Sequence, residues 1–390
     1  MNKTINRYYL YKFLVDFSLF SAVLVPFFTK WGGITLLKVQ FLQSWFMFWI
    51  FILEVPTGVI ADYLGRKYSI ALGAIMISIG ALVYGSVPKF EIFLLGEFLF
   101  ATAIALQSGA DSALLYDSLK EANRKNESKK VFGRAYSIKM LGIFLSAPLG
   151  SMVANRFGLN APMLLSAIPF LLAGIVVWTI KEPKRFEKTS EQKRYLEIAK
   201  KGIQYFRGHR VLRLLALNAV LVASAAYFVI WFYQPLLTKI GMPIIYFGWF
   251  HALLVAAEIL ISANFIRLEK WFKSSQRFLK FSAVITGLSF FLVAVYPHLI
   301  TIILFIVLAG GFGLTRLELM SAHMNRFIPS EQRATILSSI SMFKRFALVI
   351  FNPIVGLIAD RSLGLALFLV SLLPLTVLLL KEVKLDYGED

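Results

Sequence analysis

No residue from Tyr68 to Val87 carries a charge. An unbroken apolar run of about 18 residues or more has one home, the hydrocarbon core of a bilayer. There a helix satisfies every backbone N–H and C=O from within one segment. Runs of this kind recur along the whole chain. Reading each as a crossing gives twelve, at about residues 8–28, 37–58, 68–87, 90–117, 133–155, 160–180, 211–235, 243–267, 278–296, 299–323, 333–358 and 363–380. Lengths near 20 suit a core of ~30 Å, with tilt where they are longer. The fold class is therefore all-α, an integral membrane protein of twelve transmembrane helices.

Charge placement gives the orientation. The chain is 58% hydrophobic and carries 41 Lys and Arg against 22 Asp and Glu, a net charge of +19. With the N-terminus inside, 31 of those cations fall in cytoplasmic segments and 6 in outer loops. That asymmetry is the positive-inside signal, so the basic balance reports topology and no nucleic-acid partner is expected. Both termini are expected in the cytoplasm. The polar, basic start, Met1 to Lys12, is not followed by a cleavage-site pattern, and the first span reads as its own signal. The absence of cysteine excludes disulfides and thiolate chemistry. No nucleotide-binding loop, zinc-protease helix, nucleophile elbow or dinucleotide fingerprint occurs. Neither an enzyme nor ATP drive is expected, and no cofactor or metal site.

The link between spans two and three, Gly58 to Lys67, reads G-V-I-A-D-Y-L-G-R-K. Gly58 and Gly65 allow close approach or a sharp turn, and Asp62 sits four residues before Arg66, within reach of a pair or a helix cap. With Gly58, Asp62, Gly65, Arg66 and Lys67 on the pattern G-x-x-x-D-x-x-G-R-[KR] between two spans, the chain resembles the major facilitator superfamily. The resemblance is to its twelve-span bacterial and archaeal type, near the drug–proton antiporter branch. It implies two pseudo-symmetric six-helix halves. It also implies a gating latch of Asp62, Arg66 and Asp117, the last at the inner end of span 4.

Sliding the chain by 205 residues supports such a repeat. Ala147-Pro148 to Arg156 falls over Asn352-Pro353 to Arg361, Lys139 over Lys344 and Asp111 over Arg316. The halves are expected at 1–180 and 211–390, joined by a cytoplasmic linker at 181–210 that holds an amphipathic basic stretch, Tyr195 to Phe206. The second half has no good copy of the Gly58–Lys67 motif.

Ionisable side chains inside spans are costly unless paired or wet, and they mark polar pathways. This chain keeps Asp16, Glu54, Glu97, Asp111, Lys139, Glu258, Arg316, Glu318, Lys344 and Arg345 there. In the resembled fold, spans 1, 4, 7 and 10 line the central cavity, which puts Asp16, Asp111 and Arg316 on it and Lys139 and Lys344 beside it. Asp16, Glu54, Asp111, Lys139, Glu258, Arg316 and Lys344 are the candidate substrate and ion pathway, with Asp111–Lys139 and Arg316–Lys344 as expected neighbours. Arg316 and Glu318, about 200° apart on a helix, cannot share a face. His323, near a span end, reads as a solvated histidine, and His251 as a hydrogen-bonded core histidine.

Two departures from the antiporter pattern matter. Glu97 stands where an Arg is common, and Ala147 to Met152 keeps the span-5 signature only in part. The expected function is secondary active transport of a small solute by alternating access. A carboxylate taken out of water can titrate near neutral pH and couple transport to protons. An uptake carrier for an anionic or zwitterionic solute, a multidrug exporter and an amphiphile flippase are the alternatives. The expected setting is the cytoplasmic membrane, as a monomer in the bilayer.

Overall fold

The computed structural model describes residues 2–183, 204–205, 208–329 and 333–380. Most of the expected linker, all but 204–205 of the Tyr195–Phe206 stretch, and Lys381 and Lys384 lie outside them. Among the described residues the structure is helical, with no strand. Helix α1 spans Asn2–Val15, and after a short turn a helical run, 3-10 at Ser21–Val23 and π-helical at Phe27–Trp31, carries the chain on. There follow α2 (Leu36–Leu64), α3 (Arg66–Ser86), α4 (Phe90–Gln107), α5 (Ala110–Glu121), α6 (Ser128–Phe157) and α7 (Ala161–Trp178). Next come α8 (Arg210–Lys239), α9 (Phe247–Ala263), α10 (Phe265–Trp271), α11 (Ser275–Val295) and α12 (Leu299–Phe305), which widens into a π-helical stretch, Ile306–Leu314. Helices α13 (Arg316–Met324), α14 (Arg333–Arg361) and α15 (Leu363–Leu375) complete the order.

Ten helical segments among the described residues are long and apolar enough to cross a membrane, and Leu363–Leu379 is a shorter apolar one. The broken segment Asn2–Trp31 supplies the remaining run read from the sequence. The link at Gly58–Lys67 is tighter than a turn: α2 runs through Pro56 to Leu64 and α3 begins at Arg66. Gly65 alone joins them, at φ +121°, a conformation that L side chains resist.

The chain forms two compact units. One comprises Met1–Thr35, Phe41–Tyr195 and Ile244–Ala252, the other Leu36–Gln40, Leu196–Pro243 and Leu253–Asp390. Within the first, small residues bring backbones together, as lipid-embedded helices require in place of a hydrophobic driving force. Ser78 donates to the Ala167 carbonyl at 2.8 Å and Ser69 to that of Leu106 at 2.6 Å, tying α3 to α7 and α4. Gly142, Ser146 and Gly150 form a stripe at helical spacing on α6, against which the broken first segment lies. Ser146 Oγ donates to the Ser18 carbonyl at 3.2 Å, and a Cβ on Gly150 would stand 1.7 Å from the Leu19 carbonyl oxygen. The outward face is apolar: Leu165, Ile168, Leu171, Leu172 and Ile175 are exposed along one side of α7, as a lipid-facing helix should be. Within the second unit, Gly313 sits so close to Ala226 on α8 that a Cβ would meet its methyl at 2.5 Å.

Candidate functional site

Each of the three expected cavity-lining spans that carries a charge is interrupted at that charge. In the first, α1 ends at Val15 and Asp16 follows. In the fourth, Ser108 and Gly109 separate α4 from α5, Gly109 adopts φ +72°, and Asp111 is the second residue of the new helix. In the tenth, the π-helical stretch ends at Leu314, Thr315 intervenes, and Arg316 opens α13. The 205-residue offset sets Ser108-Gly109 over Gly313-Leu314, so the halves break at matching places. Irregular backbone at membrane depth survives only where protein or a water-lined cavity satisfies it, and broken helices are where transporters seat solutes and ions. At Asp111 the positive end of the helix dipole favours the carboxylate.

In the first unit these breaks assemble a polar cluster. Lys12 Nζ lies 2.9 Å from Asp111 Oδ2 and 3.7 Å from Asp16 Oδ2, and Lys139 Nζ lies 3.9 Å from Asp16 Oδ1. The Tyr8 hydroxyl donates to Asp111 Oδ1 at 3.2 Å, and the Tyr11 hydroxyl donates to Gln107 Oε1 at 2.8 Å. Two ammonium groups and two carboxylates balance. Gln107 Nε2 is buried and has no hydrogen-bond partner among the described residues, and Asp16 Oδ2 accepts none. The expected Asp111–Lys139 pair is replaced: Lys12 holds Asp111, and Lys139 reaches Asp16. Lys12 escaped the sequence reading because it was counted with the cytoplasmic tail, although α1 begins at Asn2 and carries it into the bundle. Its spacing of four from Asp16 is the signal that could have found it. Ser108, at the break, donates to Glu54 Oε1 at 3.4 Å, which brings Glu54 to the same interruption.

Glu97 is 4% exposed, and its carboxylate accepts from Gln43 Nε2 at 2.8 Å. Gly96 beside it lets Tyr84 pack flush, since a Cβ there would meet the tyrosine ring at 2.4 Å.

In the second unit Arg316 is 0% exposed. Its Nε donates to Asn218 Oδ1 at 3.2 Å and its Nη1 to the Leu279 carbonyl at 3.0 Å, and Ser282 Oγ accepts from Nη1 as well. All of these acceptors are neutral, and among the described residues no carboxylate forms an ion pair with it. Lys344 lies instead within the field of Glu318 and Arg345. Glu318 is exposed while Arg316 is buried, as their angular separation requires. Glu258 is half-buried on α9. His251 is buried. His323 is not solvated: it is 2% exposed and pairs with Glu269.

Of the residues expected to form a gate, Gly58, Asp62, Gly65, Arg66 and Lys67 lie at or beside the α2–α3 joint and Asp117 on α5. Arg66 pairs with Asp117 and donates to the Ala113 carbonyl at 3.0 Å, both on α5. Asp62 is exposed in the last turn of α2. An acid the sequence did not flag completes the joint: Glu182 accepts from the Arg66 N–H at 2.8 Å and the Lys67 N–H at 2.9 Å, capping α3. A Cβ on Gly65 would crowd Glu182 Oε1 at 3.2 Å, so the glycine also makes room for the cap.

Comparison with known proteins bears on the family and the fold. The Major Facilitator Superfamily profile matches residues 13–352, and the chain belongs to that superfamily of membrane transporters. An uncharacterized transporter of Buchnera aphidicola subsp. Schizaphis graminum is 26% identical over 127 residues, 33% of this chain and 31% of that protein. An uncharacterized MFS-type transporter of Methanocaldococcus jannaschii is 22% identical over 176 residues, 44% of each chain. The chain thus matches less than half the length of the curated relatives. Among solved structures, the nucleoside transporter NupG superposes with a TM-score of 0.80 at 12% identity, over 98% of this chain and all of that one. At that identity the likeness is one of fold.

Proposed function

We propose that the protein is a secondary active transporter that moves a small polar solute across the cytoplasmic membrane by alternating access, coupled to protons. The observation that carries this reading is the interruption of three spans at Asp16, Asp111 and Arg316. Breaking a helix in lipid costs several kcal/mol per unsatisfied backbone group, and such breaks pay off where the freed groups meet a solute or an ion. In this reading the pathway residues of the first unit are Lys12, Asp16, Asp111 and Lys139, with Tyr8, Gln107 and Glu54. Those of the second unit are Arg316, with Asn218, and Glu258 and Lys344.

The balanced charge of the Lys12–Asp16–Asp111–Lys139 cluster favours a neutral or zwitterionic solute. Such a molecule can exchange for one internal pairing without leaving a net charge in the membrane. A carboxylate released from its lysine partner during that exchange is the proton carrier. Gly58, Asp62, Gly65, Arg66, Lys67 and Asp117 form the cytoplasmic latch, which opens and closes as the halves rock. A net excess of cytoplasmic cations supports an orientation with both termini inside.

The test is a proteoliposome assay with an imposed pH gradient and a panel of nucleosides, sugars, amino acids and organic cations and anions. Solute-dependent proton movement with a neutral or zwitterionic member is expected. Movement with cations alone would replace this reading with that of an exporter of amphiphilic cations.

A further inference from the structure

The first half holds its cytoplasmic joint with Arg66 and Asp117, residues 51 apart, one at the link after the second span and one at the inner end of the fourth. The 205-residue offset carries these positions to Trp271 and Ala322, and the motif is lost there. The structure nevertheless bridges the same two places. His323 Nε2 lies 2.7 Å from Glu269 Oε1, across 54 residues, joining α10, in the link after the eighth span, to the last turn of α13, the inner end of the tenth. The histidine is buried, and its Nδ1 has no hydrogen-bond partner among the described residues.

The polarity is inverted: the cation now sits on the span and the acid on the link. The cation has also changed kind. Arginine stays charged at every physiological pH, whereas histidine gains and loses its charge between about pH 5 and 8. The charges acting on His323 are Glu269 from α10, Arg326 from the turn after α13 and Arg316 at the start of its own helix. The cations that the neighbouring helices carry near this end, Arg213 on α8, Arg277 on α11 and Arg333 on α14, are exposed, as are Arg267 and Lys270 on α10.

We propose that Glu269–His323 is the second half's latch, and that cytoplasmic protons operate it. Protonated His323 ties α10 to α13 by an ion pair. Loss of the proton removes the ion pair and leaves the weaker hydrogen bond from a neutral imidazole N–H to the carboxylate, and α10 is released more readily. The tie is therefore strongest at low pH and weakens as pH rises through the histidine's range. This rests on the chain being a transporter with a moving cytoplasmic face, but not on the identity of its solute.

The chain has no cysteine, so spin labels can be placed at Lys270→Cys and Ala322→Cys, both exposed, in the full chain in lipid nanodiscs. Electron–electron distance distributions are then measured from pH 5.5 to 8.5. The expected result is a narrow, short distance at low pH that gives way to a longer or broader one with a midpoint in the histidine range. In His323→Gln, which keeps hydrogen bonding but cannot charge, the distribution should be independent of pH. Glu269→Gln should likewise lose the pH response. A wild-type distribution that does not change with pH, or the same response in His323→Gln, overturns the proposal. The readout is a distance and involves no flux, so either failure leaves the transport reading intact.

Discussion

Gly150→Ala should damage the protein more than its single methyl group suggests. The added Cβ would lie 1.7 Å from the Leu19 carbonyl oxygen, 2.6 Å from its carbonyl carbon and 3.0 Å from its Cα. A carbon and a carbonyl oxygen approach no closer than about 3.3 Å. The two backbones must therefore separate by roughly 1.5 Å, and no flexible side chain is there to yield. Two hydrogen bonds hold the broken segment in place, from the Leu19 N–H to Ser166 Oγ at 3.0 Å and from Ser146 Oγ to Ser18. Both would stretch. Overpacking costs about 1–3 kcal/mol in soluble cores, and a backbone clash that also strains these bonds belongs at or above the upper end. That corresponds to a hundredfold or so in the folding equilibrium. Asp16 lies three residues before Leu19, so the Lys12–Asp16–Lys139 geometry should be disturbed too. The assay is thermal unfolding of the purified protein beside solute uptake in vesicles. Gly133→Ala on the same helix is the control, because nothing lies within 4 Å of its added Cβ. A Gly150→Ala protein as stable and as active as Gly133→Ala would refute the argument that this segment is broken and packed through its backbone.

Three further outcomes follow from named contacts. Asp117→Asn removes the charge partner of Arg66 and should shift the resting population toward the state with α3 and α5 apart, seen as faster labelling of a cysteine placed at Ala113. Unchanged labelling would show that the pair is not a latch. Glu182→Ala should cost about 1 kcal/mol, the usual worth of a helix cap, and should speed proteolysis at the Gly65 joint without speeding it elsewhere. Lys12→Met alone leaves Asp111 without its ammonium partner and should lower folded yield, whereas Lys12→Met with Asp111→Asn should restore yield but not transport. If the double variant stays as poorly folded as the single, the two residues do not act as a pair.

The crossings were legible because lipid imposes a hard rule on uncharged runs, and the link at Gly58–Lys67 because its glycines and charges keep fixed spacing. What was not legible is where helices stop being helices. Ser108-Gly109 looks like any small pair inside an apolar run, and nothing in Ile306–Leu314 beyond its glycines foretells a π-helical stretch. The partners of charged residues were also hidden, because pairing depends on depth and rotation that one sequence does not fix. In the sequence Lys12 reads as tail and Glu182 as linker, and Glu269 falls between the eighth and ninth spans, yet each meets a partner 50 residues or more away. The same holds for His323: its place near a span end suggests water, but Glu269, the acid that covers it, comes from another helix.

The most direct test of the central claim is solute-evoked proton flux in proteoliposomes holding wild type, Asp16→Asn or Asp111→Asn at equal reconstituted amounts. The account predicts clear flux in wild type, and loss of proton movement in at least one variant that remains folded. Wild-type flux in both variants would contradict it, because the helices would then be broken at charges that transport does not use.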